Sequence, residues 1–163
     1  MIVVVNVSDE DASDHTRLAQ LNEKYQSAHI RCIQIAARLE GEIASLETAA
    51  EREEFMQELG IEATALHALT EECIKALGLL SFFTVGPNEV HQWFVKRGAN
   101  AVEAAGKIHS DLARGFIRAE VMKYPDLMEL GSEEKVKSAG KLGVKGRDYV
   151  VEDGDVLFIR FNV

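Results

Sequence analysis

From Leu79 onward the order of elements leaves few folds open. Ser81 to Val85 and Val90 to Lys96 are strand-like runs, separated by a Gly86-Pro87-Asn88 turn. Asn100 is placed to cap a helix from Ala101 to about Ile108. Phe116 to Met122 alternates, with Phe116, Arg118 and Glu120 against Ile117, Ala119 and Val121, the pattern of a half-buried strand. Tyr149 to Val151 and Val156 to Phe161 flank Glu152-Asp153-Gly154-Asp155, which reads as a hairpin around an Asp-Gly turn. Strand, strand, helix, strand and closing hairpin predict a small α+β domain with one helix against a mixed sheet, in the order of a β-grasp (ubiquitin-like) fold.

The first part of the chain has a different character. Ile2 to Val7 is a continuous β-branched run, typical of a strand buried on both faces in a parallel sheet. Ser13 to Ser27 has helical spacing, and His29 to Ala36 reads as a second strand, so the three make a βαβ unit. Helices are expected over Leu39–Leu46, Arg52–Leu59 and Thr64–Leu77, the last with Leu66, Leu69, Cys73 and Leu77 on one face. Cys32 and Cys73 are expected as buried thiols, with no disulfide framework and no metal-ligand spacing. Two parallel strands are too few for a buried sheet, so residues 1–80 are expected to self-associate through their apolar edges.

Charge follows the same division. Residues 1–80 hold 6 Lys/Arg against 15 Asp/Glu, which accounts for the whole net charge of -9; residues 81–163 hold 12 of each. The chain is therefore no general nucleic-acid adhesive, although its second half can still present a local basic face. No apolar run reaches the roughly 18 residues of a membrane span, and Met1 to Val5 is too short for a signal peptide, so the expectation is a cytoplasmic protein with no membrane partner.

Several motifs carry a resemblance. Ser81-Phe82-Phe83-Thr84-Val85-Gly86, Ala104-Ala105-Gly106-x-Ile108-His109-x-Asp111, Gly115 to Val121, Ala139-Gly140-Lys141 and Asp148-Tyr149-x-Val151-x-Asp153-Gly154-Asp155, followed by Phe161-Asn162-Val163, occur in order over residues 79 to 163. This half resembles the TGS domain of the YchF-type (Obg-like) ATPases. The first half, with Glu40-x-Glu42-Ile43-Ala44-x-Leu46 and Phe55-Met56-x-Glu58-Leu59-Gly60, is similar to the C-terminal part of that family's nucleotide-binding domain.

The resemblance implies a domain boundary at 80/81: a truncated α/β P-loop remnant over residues 1–80, then a TGS β-grasp domain over 81–163. It also places Asn6, Val7 and Asp9 where the family reads the nucleotide base, usually with Asn-x-x-Glu. Here Asp9 is one methylene shorter than that glutamate. On residues alone, Asp9 to Asp14 equally well starts a helix, where carboxylates suit the dipole.

No G-x-x-x-x-G-K-[ST] occurs in the 163 residues, so no glycine-rich loop cradles phosphates. The expectation is a chain without catalysis or cofactor of its own, a fragment of a longer parent that would hold ATP (or GTP) with Mg²⁺. TGS domains are regarded as RNA- or ribosome-associated, which implies a ribosome or structured-RNA partner for Lys96, Arg97, Lys107, His109, Arg114, Arg118, Lys123 and Arg147. Lys141 and Lys145 add to this basic set, and Trp93, Phe94 and Tyr124 are candidate base-stacking rings. From the residues alone, the equal number of acids argues for an ordinary mixed-charge surface, and a strand Trp is more often core. His109 is expected at a helix C-terminus, where a partly charged imidazole suits the dipole, and Asp111 in the turn after it. The alternatives are half of an ATPase site that works only in a full-length parent, and a protein–protein interaction module.

Overall fold

The computed structural model describes residues 1–61, 63–86 and 89–162, so Pro87 and Asn88 of the expected turn lie outside the described residues. The chain divides into two compact units, Met1–Ala76 and Leu77–Val163.

In the first unit, β1 (Ile2–Asn6) pairs in parallel with β2 (Arg31–Ile35), in register from Ile2 opposite Arg31 to Asn6 opposite Ile35. A parallel pair needs a crossover, which α1 (Thr16–Tyr25) and a short 3-10 turn (Gln26–Ala28) supply. Asn22 locks that crossover: its carboxamide accepts from Cys32 N at 2.7 Å and donates to Cys32 O at 3.0 Å. Helices α2 (Ala37–Ser45), α3 (Ala49–Glu58) and α4 (Ala65–Ala76) follow. Leu39 and Ile43 of α2, with Ala36, form a small core against which Phe55, Met56 and Ile61 pack. Thr48 and Glu51 form a reciprocal capping box that starts α3.

Two expectations fail in this unit. The β1 run is not buried on both faces, since Val3 and Val4 are 37% and 44% exposed. Cys73 is exposed, whereas Cys32 is buried. The reason lies in α4, where Leu66, Cys73 and Leu77 do not form the covered stripe. Leu66 is 72% exposed, and the less exposed positions of α4 are Ala65, Leu69, Glu72 and Ile74, of which only Leu69 belongs to the expected face. Glu72 lies there because Arg31 of β2 holds its carboxylate at 3.2 Å.

The second unit is a five-stranded mixed sheet with helices. Its strands are β3 (Leu79–Val85), β4 (Val90–Lys96), β5 (Phe116–Lys123), β6 (Gly143–Lys145) and β7 (Asp155–Phe161), in the order β4-β3-β7-β5-β6. β3 and β7 are parallel and lie near the middle, and the other pairings are antiparallel. Four helices accompany the sheet rather than one: α5 (Ala101–Ile108), α6 (Ser110–Arg114), α7 (Tyr124–Leu130) and α8 (Glu133–Ser138).

Strand alternation sorts the side chains onto two faces. One face presents Leu80, Phe82, Val95, Ala119, Val121 and Leu157 to α5, whose Ala101, Ala104 and Ala105 are fully buried there. Small residues on α5 let it lie close to the sheet. Asn100 starts it with a capping box, accepting from Val102 N and Glu103 N at 3.0 Å while Glu103 accepts from Asn100 N at 2.8 Å. On the other face a second cluster of Met122, Val136 and Val156, joined by Phe83 and Phe158, is covered by α7 and α8.

Two sequence expectations are corrected here as well. Tyr149–Val151 and Val156–Phe161 form no hairpin. β7 pairs with β5 and β3, and residue 150 makes only an isolated bridge to Asn100. Simple alternation along Phe116–Met122 is broken by a register shift between Phe116 and Arg118. That irregularity leaves Ile117 57% exposed while Phe116 stays in the core.

Candidate functional site

The base-reading candidates sit at the C-terminal edge of β1, where parallel α/β sheets place ligands. Asn6 closes the strand, and its Oδ1 accepts from Ala37 N at 3.1 Å, tying the end of β1 to the first turn of α2. Val7 N continues the ladder to Ile35 O at 2.8 Å. Asp9 reaches Arg38 Nε at 3.6 Å, and Arg38 also meets Glu42 at 3.3 Å. Asn6 and Asp9 are thus both turned toward the start of α2. Neither partner is legible in the sequence: the Ala37 backbone N–H leaves no residue-type signal, and Arg38 lies 29 residues from Asp9.

Beside this edge lies a cavity of about 480 Å³ lined by Ala12, His15, Gln34, Ala36, Leu39 and Glu40 among others. Asn6, Val7 and Asp9 do not line it. Two of its polar side chains are committed to the backbone: Gln34 Nε2 donates to the Asp11 carbonyl at 2.9 Å, and Glu40 Oε1 accepts from Ala65 N at 2.7 Å. Among the described residues no cluster of three or more His, Cys, Asp or Glu is arranged to hold a metal, and no helix is long and apolar enough to cross a membrane.

The basic candidates of the second unit are spread along the sheet rather than gathered at one point. Lys96 ends β4 opposite Leu79, and β3 runs parallel to β7 with Phe83 opposite Val156. Lys96 therefore lies about four residues below that level and Arg118, the register partner of Arg160, about four above it, a separation of roughly 25 Å along the strands. Arg97 follows Lys96 at the lower end and is exposed.

Lys107, His109 and Arg114 gather at the junction of α5 and α6. His109 stands at the C-cap of α5, as expected, and also starts α6, where its Nδ1 accepts from Asp111 N at 3.2 Å. Asp111 in turn pairs with Arg114 at 2.8 Å.

Lys123 is half-exposed and is tied into a network centred on the buried Asp155. Its Nζ donates to Asp155 at 2.6 Å, Glu152 at 2.9 Å and the Tyr149 hydroxyl at 3.3 Å. Asp155, fully buried, also accepts from Tyr149 Oη at 2.8 Å and from Glu152 N at 2.9 Å. Partial burial pulls the Lys123 ammonium toward neutrality, but its bonds to Asp155, Glu152 and Tyr149 outweigh that and hold its pKa above the usual lysine range. Burial, with the hydrogen bond to Asp155 second, pushes the Tyr149 phenol up.

Arg118 and Arg160 stand directly opposite each other across β5 and β7, and Glu120 binds both, at 3.3 Å and 2.8 Å. The Arg160 hydrogen bond is the main cause holding the Glu120 carboxyl below its usual range. Arg147 donates to Phe116 O at 3.1 Å, at the same end of β5. Lys141 pairs with Asp126 at 2.7 Å, and Lys145 lies over the Tyr149 ring. Of the candidate rings, Trp93 donates to Thr84 Oγ1 at 2.9 Å and packs on the core, whereas Phe94 and Tyr124 are exposed.

Comparison with known proteins covers the whole chain. Residues 79–162 match the family model YchF-GTPase_C, described as a protein of unknown function (DUF933). "Ribosome-binding ATPase YchF" of Bacillus subtilis (strain 168) is 42% identical over 166 residues, spanning 100% of this chain and 45% of the relative. "Obg-like ATPase 1" of Homo sapiens is 41% identical over 167 residues, spanning 99% of this chain and 41% of the relative. The solved "Structure of the Schizosaccharomyces pombe YchF GTPase" superposes with a TM-score of 0.82 at 29% identity, covering 98% of this chain and 43% of that one. The chain therefore spans less than half the length of the curated relatives it matches.

Proposed function

This chain belongs to the YchF family of Obg-like ATPases, and we propose that it acts as a non-catalytic binding module of such a protein, docking it on the ribosome or on structured RNA. The observation that carries this reading is the coincidence of the family match, residues 79–162, with a compact unit, Leu77–Val163, that has its own core and exposed arginines. The strand order β4-β3-β7-β5-β6, with a parallel central pair and α5 across one face, supports its reading as a TGS domain of β-grasp type. The parallel β1–β2 pair supports a reading of residues 1–80 as the C-terminal part of a nucleotide-binding domain. ATP or GTP with Mg²⁺ would belong to a longer parent, and the working compartment would be the cytoplasm.

Sedimentation of the chain through a sucrose cushion with purified ribosomes tests the reading. The expected result is pelleting that weakens as salt rises. A chain that stays in the supernatant at low salt overturns it.

A second reading rests on a different observation. The Asn6 carboxamide anchored to Ala37 N at the sheet edge supports half of a base-binding site, completed only in a full-length parent. Exposed Val3 and Val4 likewise support self-association through residues 1–80.

A further inference from the structure

We propose that Arg118 and Arg160, held side by side by Glu120, form a binding fork for the phosphodiester groups of RNA, which locates the contact surface of the module proposed above and rests on that reading. Four observations on the upper end of the sheet lead to it.

The first is register. Arg118 and Arg160 are Cα partners on neighbouring antiparallel strands, so their side chains leave the same face next to each other. Like charges directly opposite in a sheet are destabilising, and a fold that needed only stability would gain from a neutral residue at either place. The second is the clamp. Glu120 is only 12% exposed and gives one oxygen to each guanidinium, Oε1 to Arg118 and Oε2 to Arg160. One carboxylate thus orients two cations and leaves a positive charge over at the pair.

The third is unused donor capacity. Each guanidinium has about five N–H donors in a fixed plane. Among the described residues each spends one nitrogen, Nη2, on Glu120, while 52% of the Arg118 side chain and 55% of the Arg160 side chain remain exposed. Two planar donor forks facing solvent match the spacing and charge of phosphate oxygens.

The fourth is contrast with three cations that are each paired with an acid of their own. Lys123 is consumed by Asp155, Arg114 by Asp111 and Lys141 by Asp126. Glu133 is the further acid that acts on Arg160. It sits outside ion-pair distance. A neutral domain can therefore carry one pre-oriented pair of outward-facing guanidinium planes. Phosphodiester fits this fork because successive phosphates along one chain accept from the outward N–H groups that both guanidinium planes leave free of Glu120.

Fluorescence anisotropy with a labelled oligouridylate tests the fork, alongside ribosome sedimentation of the same proteins. R118E/R160E is the direct variant. R118K/R160K keeps both charges and the partners of Glu120, so it keeps the fold, but it loses the planar forks. R17E/K24E, on α1 of the first unit, controls for net charge. Expected are loss of oligonucleotide binding in R118E/R160E, weakening of about tenfold in R118K/R160K, and little change in R17E/K24E.

Binding by both fork variants equal to the parent chain overturns the fork, and if that chain still pellets with ribosomes the docking module stands without it. R17E/K24E weakening as much as R118E/R160E also overturns the fork, in favour of bulk charge. Absence of oligonucleotide binding by the parent chain overturns it outright, and absence of ribosome pelleting overturns the docking reading.

Discussion

Lys123 and Asp155 face each other as register partners on β5 and β7, 2.6 Å apart, with the carboxylate fully buried and the ammonium reaching it from the half-open rim. Tyr149 and Glu152 close the network from the segment that precedes β7. Removing one partner leaves the other uncompensated. Asp155→Ala should destabilise the chain by about 2 kcal/mol, because it removes the buried acceptor of Lys123 Nζ, Tyr149 Oη and Glu152 N together. Urea unfolding followed by circular dichroism reads the difference, and a loss below about 1 kcal/mol would show the network to be ornamental.

The same network predicts an alkaline limit. A lysine whose folded pKa is raised contributes its full stability below the unfolded value of about 10.4 and loses it as pH climbs through the higher folded value. Lys123 is such a group. Thermal melts from pH 8 upward should therefore show the chain losing stability only beyond about pH 10, and Lys123→Met should flatten that slope. At the acid end Glu120 behaves in the opposite sense. Its folded pKa is depressed, so its share is present above about pH 4.3 and lost as pH falls through the folded value.

The cap of α5 is a local test of the second unit. Asn100→Ala removes the acceptor of two backbone N–H groups and should cost about 1 kcal/mol, measured by denaturant titration. Asn100→Asp should restore most of it, because a carboxylate accepts the same bonds.

The two thiols should separate cleanly by reagent. Cys73 should react with a water-soluble disulfide within seconds in the native chain, whereas Cys32, buried beside Asn22, should react only on unfolding. Two equally fast thiols would mean that the first unit opens readily.

Val4→Lys places a charge on the exposed face of β1 and should lower the mass seen by light scattering at high protein concentration. A monomer for both chains would remove self-association through this strand.

What the sequence told and what it hid divide along the range of the interaction. The Asn100 cap was legible because a capping residue and its N–H groups lie within three positions. The Val3-Val4-Val5 run announced a parallel strand, but not that one side would be bare, since that depends on which other strands are present. Asp153-Gly154 signalled a turn correctly and a hairpin wrongly. The partner of β7 is chosen by the core it completes with Phe82 and Val121, and residues 149–152 are spent instead on reaching Asp155. One irregularity at Ile117 was enough to shift the phase of β5. Arg160 escaped notice because nothing near it in sequence marks it: Glu120, its partner, is 40 residues away.

The central place of β7 bears on how the second unit comes into being. β3, first of its strands to leave a ribosome, finds its parallel neighbour only when residues 155–161 follow, with Phe82 paired to Asp155 across the intervening chain. Until then the sheet is two separate ribbons, β3–β4 and β5–β6, each with an unfilled edge. A domain wired in this way stays unfinished through most of its synthesis and closes in one late step.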